Sequence, residues 1–420
     1  MLVDRFAAYL AEAFGCSRII SISSSSGEPA HIEGEQTSAA RARSILISRV
    51  EPHALTAGLL SELHRALDDV PAGLVVVRPG ARIASPLELQ RFLSERRFAV
   101  PFAGWADERS LIAVLENNRS PRLRPEPESF RVVAFMPTFN EADIFTQSLR
   151  YLLRQGIDVY VLDNWSTDGT AEQAEQWIGV GVIGVERFPA SGPVATYEWR
   201  RILGRVETLA STIDADWFML HDADERRCAP WRGISLKRGL HHVDRCGFNC
   251  VDHVVVHHWP QRQRFDPSVS LESQLPYYTF SDHPGHYHQR RAWKNLGCEV
   301  SIAPSAGHDV RFPGRLVYPF KFLLRHYPIR SQEHGERKVF GERVGRWNPE
   351  ERSLGWHRQY DGKRPGQSFL REAATLESAD EAEFHERYLI QRLSGIGVFG
   401  EAPAWTTGPR ERFDRVPAAN

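Results

Sequence analysis

Apolar residues in this chain gather in short unbroken runs of strand length, each closed by a polar break. Arg131-Val132-Val133-Ala134-Phe135-Met136 stops at Pro137-Thr138-Phe139-Asn140-Glu141, and a helical pattern through Ile144, Leu149 and Leu152 follows. Val159-Tyr160-Val161-Leu162 ends in Asp163-Asn164-Trp165-Ser166-Thr167-Asp168-Gly169-Thr170, and Trp217-Phe218-Met219-Leu220 leads into Asp222-Ala223-Asp224-Glu225. Strands that are apolar throughout and alternate with helices predict an α/β domain whose mostly parallel sheet is covered on both faces. Such a sheet binds ligands outside the carboxyl ends of its strands. Asn140, Asp163, Asp222 and Asp224 all fall at such ends.

Upstream, Arg18–Ser23 and Leu74–Val77 read as strands, with helical patterns at Phe6–Phe14 and Leu87–Leu93. Residues 1–120 are therefore expected to form a smaller Rossmann-like α/β domain. Ser21–Ser26 followed by Gly27 stands where a nucleotide-binding loop would begin, but the glycine spacing is absent, so this domain is expected to be non-catalytic. Pro121, Pro125 and Pro127 break any regular element, and residues 121–129 read as a linker. The main domain is expected over 130–345, followed by a C-terminal helical extension and tail over 346–420.

Charge and cysteine usage narrow the function classes. With 52 Lys and Arg against 53 Asp and Glu, the chain has no electrostatic footprint for nucleic acid. Runs such as Val132–Met136 and Val254–Val256 are far shorter than the roughly 18 residues of a membrane span, though peripheral membrane association stays open. Met1–Arg5 lacks the basic start and apolar centre of a signal peptide, and five scattered cysteines do not form a disulfide framework. A cytoplasmic enzyme with reduced thiols is the expectation. Cys246 and Cys250, four apart in a strand-like stretch, lack the second pair that a zinc site would need.

Two carboxylates at i and i+2 just beyond a buried strand can turn toward one divalent cation, which hard oxygen ligands hold against a nucleotide's phosphates. Alone, Asp222-Ala223-Asp224 is equally an acidic turn. In company with the two upstream motifs, taken in order, it resembles the GT-A glycosyltransferases, specifically those of family 2, over residues 130–345. The resemblance implies a GT-A fold and a metal-dependent, inverting transfer from a nucleotide-sugar donor, a UDP-sugar foremost, with Mn²⁺ or Mg²⁺, to a saccharide or lipid-linked acceptor. It places Pro137, Thr138, Asn140 and Glu141 near the nucleoside, Asp163 on the base, and Asp222 and Asp224 at ribose, metal and diphosphate.

The chain departs from the commonest family pattern between the second and third motifs, where Tyr197-Glu198-Trp199-Arg200-Arg201 opens a helix. Gln289-Arg290-Arg291-Ala292-Trp293-Lys294 is similar to the Gln-x-x-Arg-Trp signature of polymerising members with the arginine one place early. Arg290, Arg291 and Lys294 are expected to face the diphosphate, with no inference of polymerisation.

Inverting transfer needs a carboxylate that takes the acceptor's proton while cations hold the leaving diphosphate. Asp282, in a loop just before the basic cluster, is the candidate base, with Asp309 and Asp252 as alternatives. Fourteen of the 17 histidines lie beyond residue 220, and two stand out at polar breaks, His308 and His326. His308 is the expected third metal ligand. Over 331–360, Glu333, Glu336, Arg337, Lys338 and Arg343 read as a solvated helix with i, i+4 pairs, while Trp347, Trp356 and Tyr360 fit either a lid or plain packing. Two other classes share parts of the pattern. A sugar-1-phosphate nucleotidyltransferase normally has a glycine-rich first loop, which Pro137–Asn140 lacks. A non-catalytic carbohydrate-binding protein would be expected to lose the aspartate pair, which is present.

Overall fold

The computed structural model describes residues 18–23, 31–33, 44–50, 57–67, 72–78, 83–96, 98–107, 110–116, 124–231, 233–281 and 288–378. The chain divides after Arg122 into two compact units. The expected helix at Phe6–Phe14, the loop at Gly27, the tail beyond 402 and the candidate base Asp282 lie outside the described residues.

The first unit runs β1 (Arg18–Ser23), β2 (His31–Glu33), β3 (Ser44–Val50), α1 (Ala57–Leu67), β4 (Ala72–Val77), α2 (Pro86–Glu95), β5 (Ala99–Asp107) and β6 (Ser110–Glu116). Its sheet has the order β2-β1-β3-β4-β6-β5. Only the centre is parallel: β1 with β3 and β3 with β4, while β2, β6 and β5 join antiparallel. Leu63, Leu89 and Leu93 pack with Val75, Val77, Leu111 and Leu115 in one core, each such side chain contributing about 1.5–3 kcal/mol by leaving water. Helix α2 starts where sequence chemistry dictates. Ser85 accepts from the Glu88 backbone amide, Glu88 reaches back to the Ser85 amide, and Pro86 sets the first turn.

The second unit opens with β7 (Val132–Thr138), α3 (Phe145–Arg154), β8 (Asp158–Asp163), α4 (Thr170–Glu175), β9 (Val182–Arg187), α5 (Trp199–Ala210) and β10 (Trp217–Leu220). These four strands are parallel in the order β9-β8-β7-β10. All seven residues of β7 and all four of β10 are buried, as a sheet covered on both faces requires. β15 (Ala292–Lys294) then adds antiparallel to β10, and β12 (Cys250–Val251) to β15. Phe135, Phe218 and Trp293 pack across three of these strands, with ring centroids 5.5 and 6.0 Å apart.

A second sheet contains β11 (Glu225–Cys228), β13 (His253–His258), β14 (Tyr277–Phe280), β16 (Phe322–His326) and β17 (Glu377–Ser378), in the order β11-β16-β13-β14-β17. Because β17 pairs with β14, the chain beyond residue 345 continues the same unit through 378. The cysteine pair takes no common strand face. Cys246 follows helix α6 (Leu236–Arg245), and Cys250 is buried in β12.

Candidate functional site

The carboxyl ends of β7 and β8 are tied to each other by the polar residues that close them. Asp163 is buried and accepts from the Thr138 hydroxyl at 3.2 Å and the Ser166 amide at 2.9 Å. The Asn140 amide donates to Ser166 Oγ at 3.0 Å, and the Thr167 amide to Asn140 Oδ1 at 2.9 Å. Asn140 adopts a left-handed conformation, φ 54°, which asparagine tolerates because its short amide can bond locally. Glu141 and Ala142 amides donate to Thr170 Oγ1 and Asp168 Oδ2. Burial pushes the Asp163 carboxyl above its usual range, against the hydrogen bonds from Ser166 and Thr138. The two loops thus form one hydrogen-bonded ledge.

At the end of β10, the neighbouring strand, the acidic triplet sits among buried cations. Asp222 is a third exposed and accepts from Arg291 Nη1 at 3.0 Å. The same nitrogen reaches Glu225 Oε1 at 3.0 Å. Glu225 also pairs with Arg227, which contacts His221 Nδ1 at 2.8 Å. Asp224 is buried, with Lys338 Nζ at 2.9 Å from Oδ2 and His326 Nε2 at 3.6 Å from Oδ1. Lys338 also reaches Glu141 Oε1 at 3.1 Å, and Arg330 bridges Glu141 and Asp143 at 2.8 and 2.7 Å. Burial acts to raise the Asp224 carboxyl, but Lys338 and His326 outweigh it and hold it well below the usual carboxylate range.

The sequence of these three loops settles the family to which the segment is similar. Residues 133–226 match glycosyl transferase family 2. The matched stretch runs from β7 through the acidic triplet into β11, so the resemblance read from the three motifs holds and the fold is GT-A. The match supports glycosyltransferase activity at the level of the family. A search of curated proteins finds no match to the chain.

Within this unit the expected site residues separate. Thr138, Asn140, Glu141 and Asp163 come together at the ledge, with Glu141 linked through Lys338 to Asp224, while Pro137 stands in β7 opposite Leu162. Of the basic cluster, Arg291 touches the acidic triplet, whereas Arg290 faces Asp309 at 3.4 Å and Asp252 at 3.7 Å. Lys294 pairs with Asp244 at 2.6 Å. The ladder explains this. Lys294 stands opposite Trp217 at the start of β10, about 10 Å from its carboxyl end at roughly 3.3 Å per residue.

His308 Nδ1 lies 2.9 Å from Gln289 Nε2. The histidine at Asp224 is instead His326, because β16 pairs with β11 in the register Glu225 opposite His326. Among the described residues no group of three or more His, Cys, Asp or Glu side chains is arranged to hold a metal ion. With Asp224 committed to Lys338 and Asp222 to Arg291, this donor set does not fit a divalent cation unless those buried pairs break.

Asp252 and Asp309, the alternative bases, are both ion-paired. Asp252 is fully buried, with Lys321 at 3.6 Å, Arg290 at 3.7 Å and His288 at 3.5 Å. Against the effect of burial, these partners hold its carboxyl far below the usual range. Asp309 takes Arg315 at 2.7 Å.

The segment after β16 departs most from expectation. Helix α7 (Gln332–Glu336) passes into a π-helical stretch, Arg337–Arg343, whose wider turn is frequent at functional sites. Lys338, expected in a solvated face, is buried. Glu342 accepts from Asn140 Nδ2 at 3.1 Å, and Arg346 donates to Asn164 Oδ1 at 3.3 Å while its guanidinium lies 4.1 Å above the Phe139 ring. Trp347 stacks on His357 at 4.4 Å, beside Tyr197. This segment is a wall of the ledge.

Proposed function

We propose that the second unit transfers a sugar from a nucleoside-diphosphate sugar, a UDP-sugar foremost, to a hydroxyl of a saccharide or lipid-linked acceptor, with inversion. The observation that carries the reading is the convergence, at the carboxyl ends of parallel strands, of the Thr138–Glu141 loop, the Asp163–Thr170 loop and the Asp222–Glu225 triplet, over residues that match the family. The ledge supplies polar groups and the Phe139 ring for a nucleoside. Arg343 and Arg346, half-buried on the segment that covers Phe139, supply charge for a diphosphate. Asp282 is proposed as the base. It takes the acceptor hydroxyl's proton while that oxygen bonds to the anomeric carbon, and the carbon–oxygen bond to the diphosphate breaks on the opposite face.

The reading is tested by thermal shift with a panel of nucleoside diphosphates, followed by turnover of the matching sugar donor. Binding to the folded state raises the melting temperature by mass action. No shift with any nucleoside diphosphate and no donor turnover overturns it.

A further inference from the structure

Each aspartate of the acidic triplet shares one buried cation with a glutamate. Lys338 Nζ stands between Asp224 Oδ2 and Glu141 Oε1, at 2.9 and 3.1 Å. Arg291 Nη1 stands between Asp222 Oδ2 and Glu225 Oε1, both at 3.0 Å. The Lys338 and Arg291 side chains are 7% and 4% exposed. Here these positive charges meet the aspartates that a divalent cation would otherwise bridge.

We propose that Lys338, with Arg291, takes the place of a divalent cation at Asp222 and Asp224, so that this site binds a nucleoside diphosphate without one. The inference rests on the donor-site reading above.

Charge matching supports it. Glu141, Asp143, Asp222, Asp224 and Glu225 face Arg227, Arg291, Arg330 and Lys338. A metal ion adds most where carboxylates outnumber cations, and here four cations already leave an excess of only one carboxylate. Geometry adds a second reason. A divalent ion takes carboxylate oxygens at about 2.0–2.6 Å, so an ion on Asp224 would lie against an ammonium 2.9 Å from the same carboxylate. Removing that carboxylate from Lys338 would leave a buried ammonium short of a partner, an arrangement that costs far more than an exposed pair does. Glu141 alone would then have to hold it.

The test uses the purified full-length chain and two independent readouts. Calorimetry with a panel of nucleoside diphosphates is run in excess EDTA and again in excess Mn²⁺. The free Mn²⁺ signal in electron paramagnetic resonance is titrated with protein alone. The expected results are equal nucleoside-diphosphate affinity in both buffers and no stoichiometric loss of the Mn²⁺ signal. Lys338→Met should lose the EDTA-resistant binding and begin to quench the Mn²⁺ signal, because Asp224 has then lost its ammonium partner and Oδ2 is open to a metal ion. Lys338→Arg, which keeps the charge, should behave as the unaltered chain does, and it serves the comparison if the methionine variant does not fold. Binding by the unaltered chain only when Mn²⁺ is present, or stoichiometric quenching of Mn²⁺ by that chain, overturns the inference. If no nucleoside diphosphate binds in either buffer, the donor-site reading falls, while the Mn²⁺ titration still decides which cation the aspartates prefer.

Discussion

Lys338 meets Asp224 at 2.9 Å across 114 residues of sequence, from a π-helical turn onto the loop that follows β10. The two aspartates of the triplet therefore differ in what their removal does. Asp222 is a third exposed and shares Arg291 with Glu225, so Asp222→Asn should keep the fold and abolish donor turnover. Asp224→Asn leaves Lys338 and His326 facing an uncharged amide in a buried site. Its expected cost is about 3–5 kcal/mol, that of breaking a buried pair. Urea unfolding of the two variants checks this, and equal stability losses would contradict the difference in burial.

Asp163 is predicted to matter to the ledge as well as to the nucleoside. Its two oxygens accept from the Thr138 hydroxyl and the Ser166 amide. Asp163→Ala leaves both donors without their acceptor, an expected loss of about 1–3 kcal/mol for each donor that stays dry. Nucleoside-diphosphate affinity should fall with it, and kcat at saturating donor should fall less, since a base-reading contact is shared by ground and transition states. Calorimetry and steady-state kinetics separate the two effects, and an unchanged affinity would remove Asp163 from the donor site.

Acid should destabilise the second unit from about neutrality downward, in two steps. His253 and His258 are buried with Nδ1 directed at the carbonyl oxygens of Gln289 and Leu275, at 2.8 and 2.7 Å. Burial lowers both to about 3 from the ordinary 6.5, with Arg227 and Arg325 respectively assisting. Their folded pKa lies below the unfolded one. The unfolded chain therefore binds more protons between those values, and stability falls as pH drops from 6.5 toward 3. Burial acts to raise Glu225, but Arg227 and Arg291 hold it at about 2, against an ordinary 4.5. Its contribution is complete above pH 4.5 and lost as pH falls through 2. Urea unfolding between pH 8 and pH 4 should show the first loss, and His258→Gln should flatten it. A flat profile over this range would show that both histidines protonate without cost in the fold.

The strands of the site were legible because β7 and β10 are buried on both faces, and β8 is buried from Val161 onward, so they are written as short apolar runs with the chemistry at their carboxyl ends. The family followed from the loops that close them. Lys338 was not legible. Its neighbours Glu336 and Arg337 are exposed and give the i, i+4 pattern of a solvated face, whereas its burial depends on a π-helical turn and on Glu141 and Asp224, both distant in sequence. His308 and His326 both stand at polar breaks, and only the register of β16 on β11 distinguishes them. Arg290, Arg291 and Lys294 form one cluster in sequence, but strand geometry sends Lys294 to the far end of β10. The bound at residue 345 followed the extent of the family resemblance, and β17, two residues long, is too short to give a pattern of its own.

The last prediction concerns the base. Asp252 and Asp309 each have several cationic partners, and Asp252 has no exposed surface. Asp252, whose carboxyl its partners hold far below the usual range, is a weak proton acceptor, because its conjugate acid is too strong for an efficient transfer from a hydroxyl. Asp252→Asn should therefore act mainly on stability, as it removes one charged partner from each of Lys321, Arg290 and His288 at once. Asp282 lies outside the described residues, in the stretch between β14 and Gln289. If it is the base, Asp282→Asn should lower acceptor-dependent transfer by about 10²–10⁴-fold, the usual range of general-base assistance, and leave nucleoside-diphosphate affinity and melting temperature unchanged. Transfer rates, calorimetry and thermal unfolding of the two variants check this together. Full transfer by Asp282→Asn, with Asp252→Asn stable but inactive, would move the proton acceptor to Asp252 despite its ion pairs.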